Sequence, residues 1–384
     1  MLRYLKIALI SFVKFLLEFL PINNGKIVFA NFGGRGYGDN QKYIADEIVR
    51  QKLPYHLYWI VGQGVILPDN VIKISKRSIS LLYHLATAKI IVDNTKNCTS
   101  TLYKKKKNQF YLQTWHGDFP LKYIEKEGES TLSPEYVKAS KADSAVTDAI
   151  ISGNKFFSKV LKDSFWLPDT CKILEFGVPR NDLYFKGDGL KNELKAKYNF
   201  ATADKIILYA PTFRDDQSTD CYNIDFEKIR SIFHNKYGDN WKIIIRLHPN
   251  VAKKADLFSY DKNIINGSVY TDPQELCFVS DCLITDYSSI MSDFMLMKKP
   301  VYLYVPDLDK YSDKSTGRGL RDIFFKLPFR FCKTQDEFES EINAFNSDEY
   351  LANLQVFRNE YYESFDDGHA SEKIVNYLKS VISK

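Results

Sequence analysis

The sequence is sparing with sulfur: six cysteines and four methionines in 384 residues, with no two cysteines in CxxC spacing. That argues against a disulfide scaffold and a zinc module, and a reducing compartment is the simplest reading. HExxH, GxxxxGK[ST], GxSxG and GxGxxG are all missing. Their absence weighs against metalloprotease, P-loop NTPase, α/β-hydrolase and dinucleotide oxidoreductase chemistry. Charge of one sign is lacking too. A net charge of +5 is too small to imply nucleic-acid binding, though it suits an anionic partner. Internal repeats and low-complexity segments are absent, and one long apolar stretch stands out, at the very start.

That stretch, MLRYLKIALISFVKFLLEFL, carries only Arg3, Lys6, Lys14 and Glu18 as charges. On a helical wheel the four share roughly a third of the circumference, at about 100° per residue. The other arc is apolar, from Leu2 and Leu5 to Phe19 and Leu20. No small-residue cleavage site follows, and Pro21-Ile22-Asn23 ends the segment, so a secretory signal fits poorly. A spanning helix would bury Lys14 and Glu18 at about 2.5–3.5 kcal/mol each near the bilayer centre. A helix lying in the interface leaves those charges among the headgroups. A helix packed on the protein's own core is the alternative.

The rest has ordinary globular composition, 45% hydrophobic and 26% charged, with a length that suits two domains. From Lys26 onward, short apolar runs alternate with segments of helical spacing. Ile27–Phe32, Leu57–Val61, Ile90–Asp93, Phe110–Trp115 and Ala145–Thr147 read as strands. The segments 41–50 and 79–86 read as helices between them. Such runs mark a parallel sheet covered on both faces. A polar, glycine-containing stretch (Lys186–Gly189) forms a candidate linker. The alternation then restarts with strands at Ile206–Ala210, Ile243–Leu247, Cys282–Thr285 and Val301–Val305. The expected fold is therefore α/β, with two doubly wound, Rossmann-like domains: residues 1–22 as the amphipathic helix, 23–185 as the first domain and 186–384 as the second. Ligands of such sheets bind beyond the carboxyl ends of the strands.

The chemistry-bearing residues cluster there. His116 follows the strand Phe110–Trp115 and His248 follows Ile243–Leu247, each leading into a turn. An imidazole so placed accepts a proton near neutral pH or donates hydrogen bonds to an anion. The remaining histidines, His56, His84, His234 and His369, have positions that suit structural or solvated roles. Thr285-Asp286-Tyr287-Ser288-Ser289 leaves a strand and opens a helix, where hydroxyls and free N–H groups suit a phosphate; helix capping is the compatible alternative. Thr212 and Arg214 leave another strand, and Arg246 would lie on the neighbouring strand end. An arginine fork suits phosphate oxygens, and a surface pair with an aspartate suits it equally. The glycine-rich Gly33–Gly38 matches no named fingerprint, Asp307-Leu308-Asp309 is a weak metal candidate, and Lys104–Lys107 reads as a solvated loop or a contact for anionic lipid.

Taken together, these pieces resemble the CDP-glycerol glycerophosphotransferase family of teichoic-acid and capsule assembly. The matching stretches are QTWHG…PLK (113–122), GVPRND (177–182), LYAPTFRDD (208–216), RLHPN (246–250), TDYSSIMSDF (285–294), PVYLYVPD (300–307) and DDGHAS (366–371). Their shared order spans nearly everything from about Gly25 to the C-terminus. One departure stands out: Asp118-Phe119 takes the place of the family's threonine between Gly117 and Pro120, making the segment one residue longer. Contacts to the acceptor just after His116 are therefore expected to differ.

The resemblance implies a GT-B arrangement and transfer of a polyol phosphate from CDP-glycerol or CDP-ribitol to a hydroxyl of a lipid-linked saccharide or polyol-phosphate acceptor, with release of CMP. It assigns His116 as the acceptor-side base and matches His248, Ser288 and Ser289 to the donor pyrophosphate. Thr212, Asp286, Arg214 and Arg246 complete the expected donor-side set. No metal, other cofactor or nucleic acid is expected. The amphipathic helix would hold the enzyme peripherally at the cytoplasmic face of the membrane. A GT-B nucleotide-sugar glycosyltransferase of envelope polysaccharide synthesis is the alternative.

Overall fold

The computed structural model describes residues 11–96, 99–100, 102–214, 216, 218–248, 251–313 and 319–383. Two parallel sheets organise them. The first holds β1 (Asn23–Ala30), β2 (His56–Val61), β3 (Val71–Ser75), β4 (Ala88–Asp93), β5 (Phe110–Gln113), β6 (Ala149–Ile151) and β7 (Lys172–Leu174). Their order is β3-β2-β1-β4-β5-β6-β7. The second holds β8 (Lys205–Tyr209), β9 (Trp241–Ile245), β10 (Ile264–Asn266), β11 (Cys282–Thr285), β12 (Val301–Tyr304) and β13 (Phe331–Cys332). Here the order is β10-β9-β8-β11-β12-β13. Strand order therefore reverses between β1 and β4 in one sheet and between β8 and β11 in the other. Those switch points are where doubly wound sheets leave a crevice for ligands.

Alternate side chains along each central strand enter different cores, which is why the strands read as unbroken apolar runs. On one face of the first sheet Ile27, Phe29, Trp59, Ile90 and Val92 pack against Ile44 and Ile48 of the helix Asp39–Arg50, and against Ile374, Val375 and Leu378 of the helix Ala370–Ile382. On the other face Val28, Ala30, Ile60 and Ile91 meet Leu81 and Leu85 of the helix Ser80–Thr87. In the second sheet Ile207, Tyr209, Ile243, Ile284 and Tyr302 pack with Ile229 and Phe233 of Phe226–Tyr237 and with Phe338 and Ile342 of Gln335–Ala344.

The chain divides into two compact units: Met1–Asp118 with Glu125–Asp182 and Phe365–Lys384, and Phe119–Ile124 with Leu183–Ser364. Continuous boundaries at 23–185 and 186–384 do not anticipate this interleaving. The last helix belongs to the first unit because its apolar face covers the first sheet. One expected strand is displaced. Residues 145–147 end the helix Pro134–Val146, and the strand beside β5 is Ala149–Ile151. Residues 11–18 are helical, and residues 1–10 of the expected amphipathic helix lie outside the described residues.

Behind the ends of β4 and β5 sits a buried polar knot. Lys96 Nζ lies 3.1 Å from Asp143 Oδ1, with both side chains fully out of solvent. Asp143 Oδ2 also accepts from Tyr111 Oη at 2.7 Å and Ser100 Oγ at 2.6 Å. Removing one partner of such a pair leaves a bare charge in a low-dielectric surround. Lys96→Met is therefore expected to lower unfolding free energy by about 3–5 kcal/mol. Chemical denaturation reads this directly, and a loss below about 1 kcal/mol would contradict a buried charge pair of this kind.

Candidate functional site

In the first unit, β5 delivers Thr114, Trp115 and His116 to the sheet's carboxyl edge beside the turn that follows β4. That turn is tied by Asp93. Its Oδ1 accepts from Thr95 N and Oγ1 at 3.0 and 3.1 Å, and its Oδ2 from Thr99 N and Oγ1 at 3.2 and 2.7 Å. Burial and the nearby Asp143 charge push the Asp93 carboxyl up to about 6 against those bonds. The tied turn presents the Asn94 carbonyl, which lies 2.8 Å from His116 Nδ1.

A carbonyl oxygen only accepts, so Nδ1 carries the proton and the Nε2 of the neutral ring keeps its lone pair. That is the tautomer a general base requires. The ring lies against Trp115 at 4.2 Å between centroids, the planes tilted by 32°, with Phe32 at 5.4 Å. The residue is exposed to solvent although protein atoms crowd around its ring. Desolvation holds its pKa below the ordinary value, with Arg180 acting the same way; the Asn94 carbonyl, Asp39 and Glu125 act against them. Trp115 has φ 52°, a left-handed conformation that a bulky residue adopts at a cost of about 1–3 kcal/mol and that clusters at functional sites.

The lengthened segment after His116 turns inward. Asp118 is buried; its carbonyl accepts from Asn154 Nδ2 at 2.8 Å, and its carboxylate lies against Gly153. A Cβ at Gly153 would come within 2.6 Å of Asp118 Oδ2 and 2.5 Å of Val178 Cγ2. The extra acid is thus accommodated by a glycine opposite it.

In the second unit, four parallel strands bring their carboxyl ends side by side in the order β9, β8, β11, β12. Thr212 N donates to Asp286 Oδ1 at 2.8 Å, joining the β8 and β11 ends. Arg214 joins three: Nη1 lies 3.0 Å from Asp286 Oδ2, while Nε and Nη2 fork onto Asp307 beyond β12 at 2.6 and 3.0 Å. Its guanidinium carbon lies 5.0 and 4.9 Å from the ring centres of Tyr287 and Tyr311, which stack on each other at 3.7 Å. Burial opposes the charge, but Asp286 and Asp307 outweigh it and raise the pKa of this arginine.

Ser288 and Ser289 occupy the turn directly after this cluster, ahead of the helix Met291–Leu296. His248 follows β9, its ring 4.5 Å from Phe213. Pro249 and Asn250 of the same motif, and Asp215 of the β8 motif, lie outside the described residues. Thr212 Oγ1 is buried without a hydrogen-bond partner among the described residues, a rare condition for a hydroxyl.

Arg214 and Arg246 do lie on neighbouring strand ends, since β8 pairs with β9. Both forks nevertheless hold protein acceptors. Arg246 Nη1 donates to the Gly267 and Tyr270 carbonyls at 2.8 and 2.9 Å, and burial lowers its pKa. The D-x-D acids are taken as well, Asp307 by Arg214 and Asp309 by Lys333 at 2.9 Å. Among the described residues no group of three or more His, Cys, Asp or Glu side chains is placed to hold a metal ion. The sequence reading did not single out Asn94, Asp39, Tyr311 or the role of Arg180. Only Arg180 lies in a quoted motif; the others become visible once the strands are paired.

Residues 12–380 match the family model described as CDP-glycerol:poly(glycerophosphate) glycerophosphotransferase. The teichoic acid glycerol-phosphate transferase of Staphylococcus aureus is 32% identical, over 94% of this chain and 94% of that protein. The teichoic acid poly(glycerol phosphate) polymerase of Staphylococcus epidermidis is 30% identical, over 93% of this chain. The chain spans about half of that polymerase, 51%, and 49% of its Bacillus subtilis counterpart. A ribitol-phosphate polymerase of Bacillus spizizenii is 26% identical over 98% of this chain and 60% of its own. Among solved structures, the wall teichoic acid polymerase TagF is 28% identical with a TM-score of 0.84, covering 100% of this chain and 97% of that one. A variant of TagF has also been solved after soaking with CDPG.

Proposed function

The chain belongs to the CDP-glycerol:poly(glycerophosphate) glycerophosphotransferase family, and on that premise we propose that it transfers glycerol phosphate or ribitol phosphate from a CDP-activated donor to an acceptor hydroxyl. The observation that carries this reading is the 2.8 Å contact of His116 Nδ1 with the Asn94 carbonyl. With Nδ1–H committed to the Asn94 carbonyl, Nε2 takes the proton of the acceptor hydroxyl. The acceptor oxygen bonds to the polyol-bearing phosphorus, the pyrophosphate P–O bond breaks, and CMP leaves. Charge building on the leaving phosphate needs donors set in place beforehand.

His248, Ser288, Ser289 and the unpartnered hydroxyl of Thr212 are the groups we assign to it. Asp286 and Arg214 hold those loops in register through the buried pair. Arg246, bonded to two carbonyls, shapes the β9 end rather than reaching the donor. The fold class on this reading is GT-B, supported by the two doubly wound sheets and the likeness to TagF. The likeness to the Neisseria meningitidis UDP-GlcNAc 2-epimerase, at 17% identity and TM-score 0.53, is one of fold alone.

The acceptor on this reading is lipid-linked, and the enzyme sits peripherally on the cytoplasmic face of the membrane. Residues 11–18 support that placement. Lys14, Leu17 and Glu18 line a recess with Ala86, Tyr103, Lys104 and Lys106, and Lys104 pairs with Glu18 at 3.4 Å. Phe12, Phe15 and Leu16 turn outward, and Phe19 is 73% exposed. A helix that turns Lys14 and Glu18 toward the Lys104–Lys106 side and its aromatics into solvent offers that apolar face to a bilayer surface. No described helix is long and apolar enough to cross a membrane.

His116→Ala is expected to lower turnover at least about 100-fold while donor affinity by calorimetry changes little. Donor affinity lost as severely as turnover would move His116 to the donor side. His248→Ala and Ser289→Ala are each expected to lower kcat/KM with CDP-glycerol or CDP-ribitol. Release of a nucleoside diphosphate in place of CMP would favour sugar transfer over phosphotransfer. Deleting residues 1–20 is expected to release the protein from liposomes and spare activity on a short soluble acceptor. Insoluble or unfolded truncated protein would instead make that helix part of the core.

A further inference from the structure

His116 is held by more than one hydrogen bond. Arg180 Nη1 donates to the His116 carbonyl at 3.1 Å and to Asp39 Oδ1 at 2.8 Å. Asp39 Oδ2 in turn accepts from Asn94 Nδ2 at 2.7 Å, and Asn94 is the residue whose carbonyl receives His116 Nδ1–H. The links close a ring: imidazole, Asn94 main chain, Asn94 amide, Asp39, Arg180, His116 carbonyl. All three framing side chains are buried. Asn94 is fixed further by Asn31 Oδ1 at 2.9 Å and by Phe32 N at 2.8 Å. Phe32 and Asp39, like Trp115, have positive φ, so three strained residues lie on or next to this ring.

We propose that Asp39, Asn94 and Arg180 are positioning residues for the reaction, fixing the tautomer and the direction of the His116 imidazole. The proposal rests on the reading of His116 as the general base. Two links of the ring end on His116 itself, at Nδ1 and at the carbonyl oxygen, and the other two tie their partners, Asn94 and Arg180, to one another through Asp39. The frame also sets opposing charges beside the base. Asp39 favours the imidazolium and Arg180 disfavours it, with Glu125 the further charged group acting in the same sense as Asp39.

That opposition makes the test directional. The acidic limb of the kcat/KM profile reports protonation of the free enzyme's base. Asp39→Asn removes the charge that favours imidazolium, so the limb is expected to move to lower pH. Arg180→Gln removes the opposing charge, so it is expected to move to higher pH. Shifts of roughly half a pH unit or more suit charges at this range, alongside a fall in kcat of about tenfold or more from lost alignment. Arg180→Lys is expected to return the limb towards its original pH.

If the wild-type limb is present and neither variant moves it, or both move it the same way, the positioning proposal is overturned and the base assignment stands. A wild-type profile with no acidic limb overturns the base assignment, and the proposal with it. Imidazole ¹⁵N shifts of the unaltered protein give a check independent of variant folding. A proton on Nδ1 at neutral pH is expected, and a proton on Nε2 overturns the frame.

Discussion

The hydrogen bond from His116 Nδ1 to the Asn94 carbonyl determines which nitrogen of the imidazole is available for chemistry. Its existence depends on strand order. Because β4 and β5 run parallel and adjacent, the residue after one lies beside the turn after the other. Because β1 lies on the other side of β4, the turn after β1 and the start of the next helix can supply Asn31, Phe32 and Asp39 to the same frame. A single reversal of strand order thus gathers the base, its anchor and Asp39. The same device recurs between β8 and β11, where it gathers hydroxyls and an imidazole suited to an anion.

Arg214 shows how far a motif can be read without its neighbours. An arginine at a strand end, among hydroxyls, suits phosphate by residue type alone. In the folded chain its fork meets Asp307, its remaining nitrogen meets Asp286, and two tyrosine rings lie beside it. A guanidinium this buried needs fixed counter-charges, and two carboxylates provide them. Its contribution on the proposed reading is to lock three strand ends together. The local charge of the cluster, two acids against one arginine, makes the nearby hydroxyls and His248 the more suitable contacts for an anionic donor.

The central strands were legible because both faces of each sheet are covered, which enforces unbroken apolar runs such as Ile206–Tyr209 and Ile243–Ile245. The strands without a clear apolar signal in the sequence, β3, β7, β10 and β13, are the edges of the two sheets. Edge strands are short and partly solvated, so Lys73, Ser75, Lys172 and Asn266 erase the apolar signal there. Residues 145–147 misled for the opposite reason, an apolar pair at the end of a helix one turn before the true strand. Both strand-end histidines and the Thr212, Asp286 and serine cluster were legible from position. The frame around His116 was not, because Asp39, Asn94 and Arg180 are separated by tens of residues and meet only through pairing of the strands.

Two motifs of the first unit that lie far apart in sequence explain each other. Asp182, last residue of GVPRND, accepts from Ala370 N and Ser371 N at 2.8 Å each, capping the helix Ala370–Ile382. Asp366, from DDGHAS, accepts from Val178 N at 2.7 Å and Asn181 Nδ2 at 3.2 Å. Between these clamps lies Arg180. Both carboxylates hold the short loop from which Arg180 reaches the hydrogen-bonded ring. The helix they cap is the one whose Ile374, Val375 and Leu378 close a face of the first sheet. Burial of that helix and placement of Arg180 are therefore linked through the two clamps, and the helix Ala370–Ile382 contributes through them to the geometry of the proposed base.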